Sequence, residues 1–286
     1  MPRRARRESW RATYLNAGTL GFWMVHAAAV AGLIWLGPSW RGLGLAIAFY
    51  FARMFFVTAG YHRYFSHRTF KTSRVFQAFL AFGAQTSLQR GVLWWAAKHR
   101  EHHRRSDRDG DVHSPVIDGF WWAHVGWSTS RLSNGGTYAG IADLVRFREL
   151  RVLDRFKHWP AVLLAVVLVA VGGWHALVWG FFISTVLLWH GTFTINSLSH
   201  VIGRRRYATK DASRNNWALA VITMGEGWHN NHHHYMSSAN QGFRWYEIDV
   251  SYYLLVALSK LGVVWDVRRA PAQVVAAIAQ PAAGQL

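Results

Sequence analysis

Residues 43–67 read LGLAIAFYFARMFFVTAGYHRYFSH. From Leu43 to Ala59 the side chains are apolar or small apart from Arg53, and two histidines, His62 and His67, follow at once. At helical pitch such a run approaches the thickness of a bilayer's hydrocarbon core. The stretch therefore reads as a membrane-spanning helix that delivers imidazoles to one side of the membrane. Arg53 is costly in lipid. The sequence favours a helix that projects beyond the bilayer and lets this side chain snorkel to water.

Working outward, an earlier apolar run covers about residues 17–37. It is too long, and too soon followed by the next run, to be a cleaved signal peptide. The turn GPSWRG (37–42) joins the two. A third run, PAVLLAVVLVAVGG (160–173), is short for a crossing, and Gly172–Gly173 is the natural turn into a fourth run over about 174–196. The spans are thus about 17–37, 43–61, 160–173 and 174–196. The expected fold class is an all-α membrane protein, with four transmembrane helices in two hairpins.

The formal net charge is +18, a value that invites a nucleic-acid reading. Its distribution argues otherwise. Of the 32 basic residues, five precede the first span, 16 lie between the second and third spans, and nine follow residue 199. The positive-inside rule then puts both termini and the two long polar segments (62–159 and 197–269) on the cytoplasmic side. In a bacterium the membrane would be the inner one. Zinc-finger, RRM and homeodomain patterns are absent from the sequence, so no nucleic-acid partner is expected.

There is no cysteine, which removes disulfides, thiolate metal sites and a cysteine nucleophile. Histidine, at 16, outnumbers Asp plus Glu, at 14. Four histidine clusters stand out: HRYFSH (His62, His67), HREHH (His99, His102, His103), NSLSH (Asn196, His200) and HNNHHH (His229, His232, His233). Offsets of three and four place side chains on one helical face. His62 and His67, five apart, are about 140° apart on an α-helix and converge only if the helix ends or bends. Nine imidazoles are too many for one ion, whereas two ions at four or five ligands each would absorb them, and imidazole suits Fe, Zn, Cu or Ni. A di-metal site held under a cytoplasmic helical cap is the expectation. Among the other histidines, His26, His175 and His190 lie on the spans or the outer turn, and His124 and His158 are not expected to be ligands. His234 rotates off the face of its cluster, and His113 is the best candidate for supporting a ligand.

These motifs resemble the three histidine boxes of membrane fatty acid desaturases, and more narrowly the acyl-CoA Δ9 (stearoyl-CoA) desaturases. The match rests on TAGYHRYFSHR (58–68), GFWWAHVGW (119–127), Asn196 to His200 and GEGWHNNHH (225–233). The resemblance covers roughly residues 20–265 and is expected to make one desaturase domain of 17–269, while composition marks a basic segment 1–16 before it and an Ala/Pro/Gln-rich, flexible tail 270–286 after it. It implies two irons held by His62, His67, His99, His102, His103, His200, His229, His232 and His233, with Asn196 acting through water. It implies O2-dependent conversion of a saturated acyl chain, as acyl-CoA and at Δ9, to a cis-monounsaturated product. One departure is visible: Ala97 and Lys98 stand where acyl-CoA users of this family carry Arg-Asp, so another acyl carrier stays open.

Further expectations follow from the chemistry. No side-chain acid or base removes hydrogen from a mid-chain methylene, so the metals and O2 must supply that step. The sequence has no haem, flavin or cysteine motif, which implies a separate electron donor, a ferredoxin or a cytochrome b5-like protein with its reductase. Glu226, Asp107 and Asp111 are candidates to orient the ligand rings. Trp94, Trp95, Trp189 and Phe193 are candidates to line a tunnel for the acyl chain. The rival readings are a hydroxylase on the same scaffold and a membrane metal-handling protein.

Overall fold

The computed structural model describes residues 9–131, 138 and 140–277. The basic segment before Ser9 and the end of the tail lie outside the described residues. Among the described residues three runs are long and apolar enough to cross a membrane: Ala17–Leu36, Trp40–Ser66 and Trp159–His200. Helix α1 (Leu20–Leu36) stops at Gly37, whose φ of 70° suits only a residue without a side chain. Ser39 then starts α2 (Trp40–Phe55) by accepting the Gly42 N–H at 3.1 Å. The helix does not end at residue 61, as the spacing suggests. It continues from α2 directly into a π-helix, Phe56–Ser66.

The polar segment that follows holds β1 (Lys71–Thr72), α3 (Arg74–Gln85) and α4 (Val92–Arg105). Asp154 accepts the Leu93 and Trp94 N–H groups at 2.9 and 3.2 Å and so caps α4 from a distant part of the chain. The last apolar run opens with α5 (Trp159–Leu177), passes through a π-turn at Val178–Ile183 and closes with α6 (Ser184–Asn196). It is not one rod. Gly173 has φ 62° and ψ −160°, a non-helical conformation in its middle. A Cβ on Gly180 would lie 3.3 Å from the Leu168 side chain, yet residues twelve apart on a straight helix are separated by about 18 Å. The chain therefore doubles back at Gly173, where the Gly–Gly pair suggested a turn.

The two hairpin turns lie at the same end. His175 Nε2 is 3.2 Å from Ser39 Oγ, and the rings of Trp35 and Trp174 are 6.4 Å apart. The box histidines gather at the opposite end. Beneath them is a core in which Tyr61 and Phe65 of the π-helix meet Leu80 and Ala84 of α3, Ala96 of α4 and Leu255 of α8 (Val250–Lys260). Val264–Trp265 (β2) pairs antiparallel with β1, Lys71 opposite Trp265, and ties the C-terminal segment to the exit of the second apolar run.

The expectation for Arg53 fails here. Arg53 does not snorkel: it is 3% exposed and donates to Thr185 Oγ1 at 2.8 Å, Ser184 Oγ at 2.5 Å and the Thr86 carbonyl at 3.3 Å. Hydroxyls on α6 and the acceptor freed just beyond the end of α3 satisfy it inside the protein. Of the tail from residue 270, Ala272–Ala276 forms a short helix, where the Val275 carbonyl accepts the Tyr207 hydroxyl at 3.0 Å, and residues 278–286 lie outside the described residues.

Candidate metal centre

The π-helix decides how the first histidine pair is used. A π-turn closes its hydrogen bond between residues i and i+5, and the His67 N–H donates to the His62 carbonyl at 3.2 Å. Residues five apart then lie one above the other. The rings of His62 and His67 are 4.9 Å apart, where α-helical winding would have separated them.

The nine box histidines form two adjacent groups. One holds His62, His67, His99, His103 and His232; the other holds His102, His200, His229 and His233. Each HxxHH box splits the same way: its i and i+4 residues join one group and its i+3 residue the other. On α4, His99 and His103 enter the first group and His102 the second. On α7 (His229–His234), His229 and His233 enter the second group and His232 the first. The boxes thus interlock, and His103 stacks on His233 with ring centroids 4.5 Å apart where the groups meet. Asn230 and Asn231 hold α7 in place, Asn230 by accepting the Tyr207 N–H and Asn231 by donating to the Gln241 carbonyl. His234 turns away and stacks on Tyr207.

The donor atoms converge as ligands would. In the first group Nε2–Nε2 separations are 3.1 Å (His62–His232), 2.8 Å (His67–His99) and 3.0 Å (His99–His103 and His103–His232). In the second, His200 and His229 are 3.0 Å apart. Two nitrogens bound at right angles to one ion, at about 2.1 Å each, stand about 3.0 Å apart. The Nε2 atoms of His102 and His233 are buried with no hydrogen-bond partner among the described residues. These features fit metal-binding imidazoles.

In four of the nine the opposite nitrogen is held by a carboxylate. Nδ1 lies 2.5 Å from Glu226 in His62, 2.8 Å from Asp111 in His102, 2.8 Å from Asp107 in His200 and 2.9 Å from Asp211 in His233. A carboxylate that accepts from Nδ1–H keeps the ring proton on that nitrogen and leaves Nε2 with its lone pair. Glu226, Asp107 and Asp111 were legible as candidates. Asp211 was not, since nothing in its spacing from His233 marks it. Arg63 was also missed: 1% exposed, it donates to Glu226 at 3.0 Å and to Asp249 at 2.9 Å, so it anchors the carboxylate behind His62. His113 stacks on His102 at 4.2 Å and forms a third close group with His102 and Asp111.

The electrostatics follow from this layout. Burial, reinforced by the neighbouring imidazoles, holds His67, His99, His103, His229 and His232 well below the ordinary histidine range. Burial also takes His233 to about 4, against the pull of Asp211. His102 is the exception: burial would lower it, but Asp111 raises it further. Burial likewise opposes ionisation of Glu226 and Asp107, yet His62 with Arg63, and His200 with Ser114, bring both carboxyls to about 2.

A cavity of about 460 Å³ lies beside the first group, and Trp94, Trp95, Trp189 and Phe193 all line it. Two smaller hollows, of about 30 and 40 Å³, continue inward and share Trp95, His99, Thr192 and Asn196. The inner one reaches His62 and Glu226. Trp95 stacks on His99 with centroids 4.9 Å apart, so the cavity wall and the ring group are in contact. Three histidines outside the boxes brace the wall. His26 Nε2 is 3.2 Å from His190 Nε2, His190 Nδ1 is 3.1 Å from His124 Nε2, and His124 Nδ1 is 2.9 Å from Ser197 Oγ.

A sequence profile described as fatty acid desaturase matches residues 38–261. The chain belongs to the fatty acid desaturase family. An acyl-CoA 5-desaturase of Anemone leveillei is 37% identical over 234 residues, spanning 80% of this chain and 73% of the relative. An sn-1 stearoyl-lipid 9-desaturase of Anabaena variabilis is 34% identical over 257 residues, 88% and 93% of the two chains. A hex-5-enoyl acyl-carrier-protein acetylenase of Moorena producens is 36% identical over 269 residues, 87% and 84%. Family membership makes this desaturase an oxidoreductase acting on fatty acyl substrates in a lipid environment, and the histidine groups are compatible with its metal centre.

Proposed function

We propose that this desaturase introduces a cis double bond at Δ9 of a saturated fatty acyl chain, with O2, two irons and an external electron donor. The observation that carries the reading is the continuity of the cavity with the first histidine group, against which the second is packed. It offers a methylene chain a route past Trp95 to His99 and His62. Position along such a chain has no polar handle, so the shape of the cavity must set the site of reaction.

The nine box histidines would hold the metals, five on one and four on the other, with Asn196 acting through water. When bound, the irons supply the O2-dependent oxidation that acid–base groups cannot. Each turnover takes two hydrogens from adjacent methylenes and reduces O2 to two waters, using two electrons and two protons from outside. The chain's own residues do the rest. Glu226, Asp111, Asp107 and Asp211 keep protons on Nδ1 of their histidines and fix ring orientation. Trp94, Trp95, Trp189 and Phe193 exclude water and grip the chain. A ferredoxin, or a cytochrome b5-like protein with a reductase, brings the electrons.

For topology we infer four crossings, with both termini and the metal centre cytoplasmic. Support comes from the reversal at Gly173, the pairing of the two turns at one end and the basic residues beyond the spans. The named relatives divide among acyl-CoA, acyl-lipid and acyl-carrier-protein substrates, so the CoA carrier implied by the resemblance is one of three.

The test is gas chromatography–mass spectrometry of fatty acids from a desaturase-deficient host expressing the chain, beside a His229→Ala control. Monounsaturated acids with a Δ9 bond, lost in the control, are expected. Hydroxy acids would favour the hydroxylase. No product with competent host donors would overturn the enzyme reading and favour metal handling.

A further inference from the structure

The carrier of the acyl chain is written in the position of the cavity mouth. One wall is the start of the first membrane run: Gly18, Gly21, Phe22 and Val25. On the other side the mouth is bounded by Lys157 and His158, immediately before Trp159 opens the last apolar run. Both runs begin at the end of the molecule where the box histidines gather, so the mouth sits at the level where two helices enter the bilayer.

Its surroundings are those of a lipid-facing surface. Leu20 and Met24 are each 60% exposed and Trp159 is 67% exposed. Gly18 and Gly21 leave the wall open between them, and a Cβ on Gly21 would meet nothing within 4 Å. Deeper in, Phe22 stacks on Trp189 at 5.1 Å and continues the apolar lining. Arg90 and Lys157 line the same mouth, and no Asp or Glu does among the described residues. Cations at the headgroup level attract lipid phosphate, and a guanidinium pairs with it in a bidentate fashion. Arg90 is pre-positioned: it has φ 74°, donates to the Ser128 carbonyl at 3.0 Å and lies over the Trp94 ring.

We propose that the acyl chain reaches the cavity sideways from the bilayer, through the gap at Gly18 and Gly21, while still ester-linked to a phosphoglyceride whose phosphate rests on Arg90 and Lys157. This rests on the acyl-desaturation reading and specifies its substrate. The phosphates of CoA share this chemistry but would approach from water, so the source must be separated by experiment.

The protein is reconstituted in vesicles of a phosphoglyceride carrying a diazirine in its stearoyl chain, with or without soluble CoA, and irradiated. Cross-links are expected in peptides containing residues 18–25 and 157–163, unaffected by excess CoA and reduced at least about tenfold in Gly21→Trp, with Gly21→Ala close to wild type. The open space at Gly21 lets the indole be placed without displacing the core; an unchanged melting temperature checks this. Cross-links formed only from a diazirine stearoyl-CoA and competed by CoA, or lipid labelling insensitive to Gly21→Trp, would overturn the proposal. Turnover keeps the two readings apart. Product from stearoyl-CoA but none from stearoyl phosphoglyceride overturns lateral access and leaves the desaturase reading intact. No product from either overturns the desaturase reading.

Discussion

At the residue scale, the chemistry depends on which nitrogen of each imidazole is free. Four carboxylates settle this for His62, His102, His200 and His233, each within 2.9 Å of Nδ1. Asp211 makes the cleanest test because it lies in a loop and is not itself a metal ligand in this reading. Asp211→Ala removes the acceptor that orients His233, and loss of such an outer partner costs about 10- to 100-fold in metal affinity. Metal retained after dialysis against a graded chelator series, read by mass spectrometry, measures this; retention equal to wild type would remove Asp211 from the centre. Glu226→Gln should behave similarly, with an added penalty because Arg63, fully buried, then faces Asp249 alone. A buried ion-pair network with one member neutralised is destabilised by roughly 3–5 kcal/mol, so this variant should also melt lower.

At the element scale, two departures from regular α-helix build the site. One is the π-winding of Phe56–Ser66, which brings His62 and His67 together. Residue spacing alone assumed 3.6 residues per turn and put them on different faces, and no local residue announces a change of winding. The interlocking of HREHH with HNNHH was hidden for a related reason. Offsets of three and four do share a face, but only the approach of α4 to α7 shows that one face feeds two histidine groups. The other departure is Gly173, which two adjacent glycines at the end of an apolar run did announce. Its φ of 62° with ψ of −160° is a conformation that side chains disfavour, and nothing lies within 4 Å of the place a Cβ would take. Gly173→Ala therefore tests backbone strain alone. A cost of about 1–3 kcal/mol is expected, seen as a lower melting temperature with metal content unchanged. A variant as stable as wild type would mean that the turn tolerates another conformation.

At the scale of the whole molecule, the long apolar helices serve as a frame that gathers neutral imidazoles at one end. The price of that frame is a burial of titratable rings without their charge. His67, His99, His103, His229 and His232 are all held well below the ordinary histidine value. In the unfolded chain they take up protons as pH falls through about 6.5, while in the folded chain they do not. The unfolded state then binds more protons, and stability must fall with pH. His102 works in the opposite sense, because Asp111 raises it and its stabilisation persists below 6.5. One raised group does not offset six lowered ones, His233 included. Metal adds to the same slope, since only neutral imidazole binds it and bound metal stabilises the folded state alone. Chelated protein is therefore expected to melt about 10 °C lower at pH 5.5 than at pH 7.5, and metal-loaded protein to melt higher than chelated protein at pH 7.5, with the advantage shrinking as pH falls. Scanning calorimetry in one detergent, with and without metal, reads both slopes. A melting temperature flat between these pH values would mean that the rings are already charged and solvated, and a cluster of that kind could not present nine free Nε2 atoms to two metals.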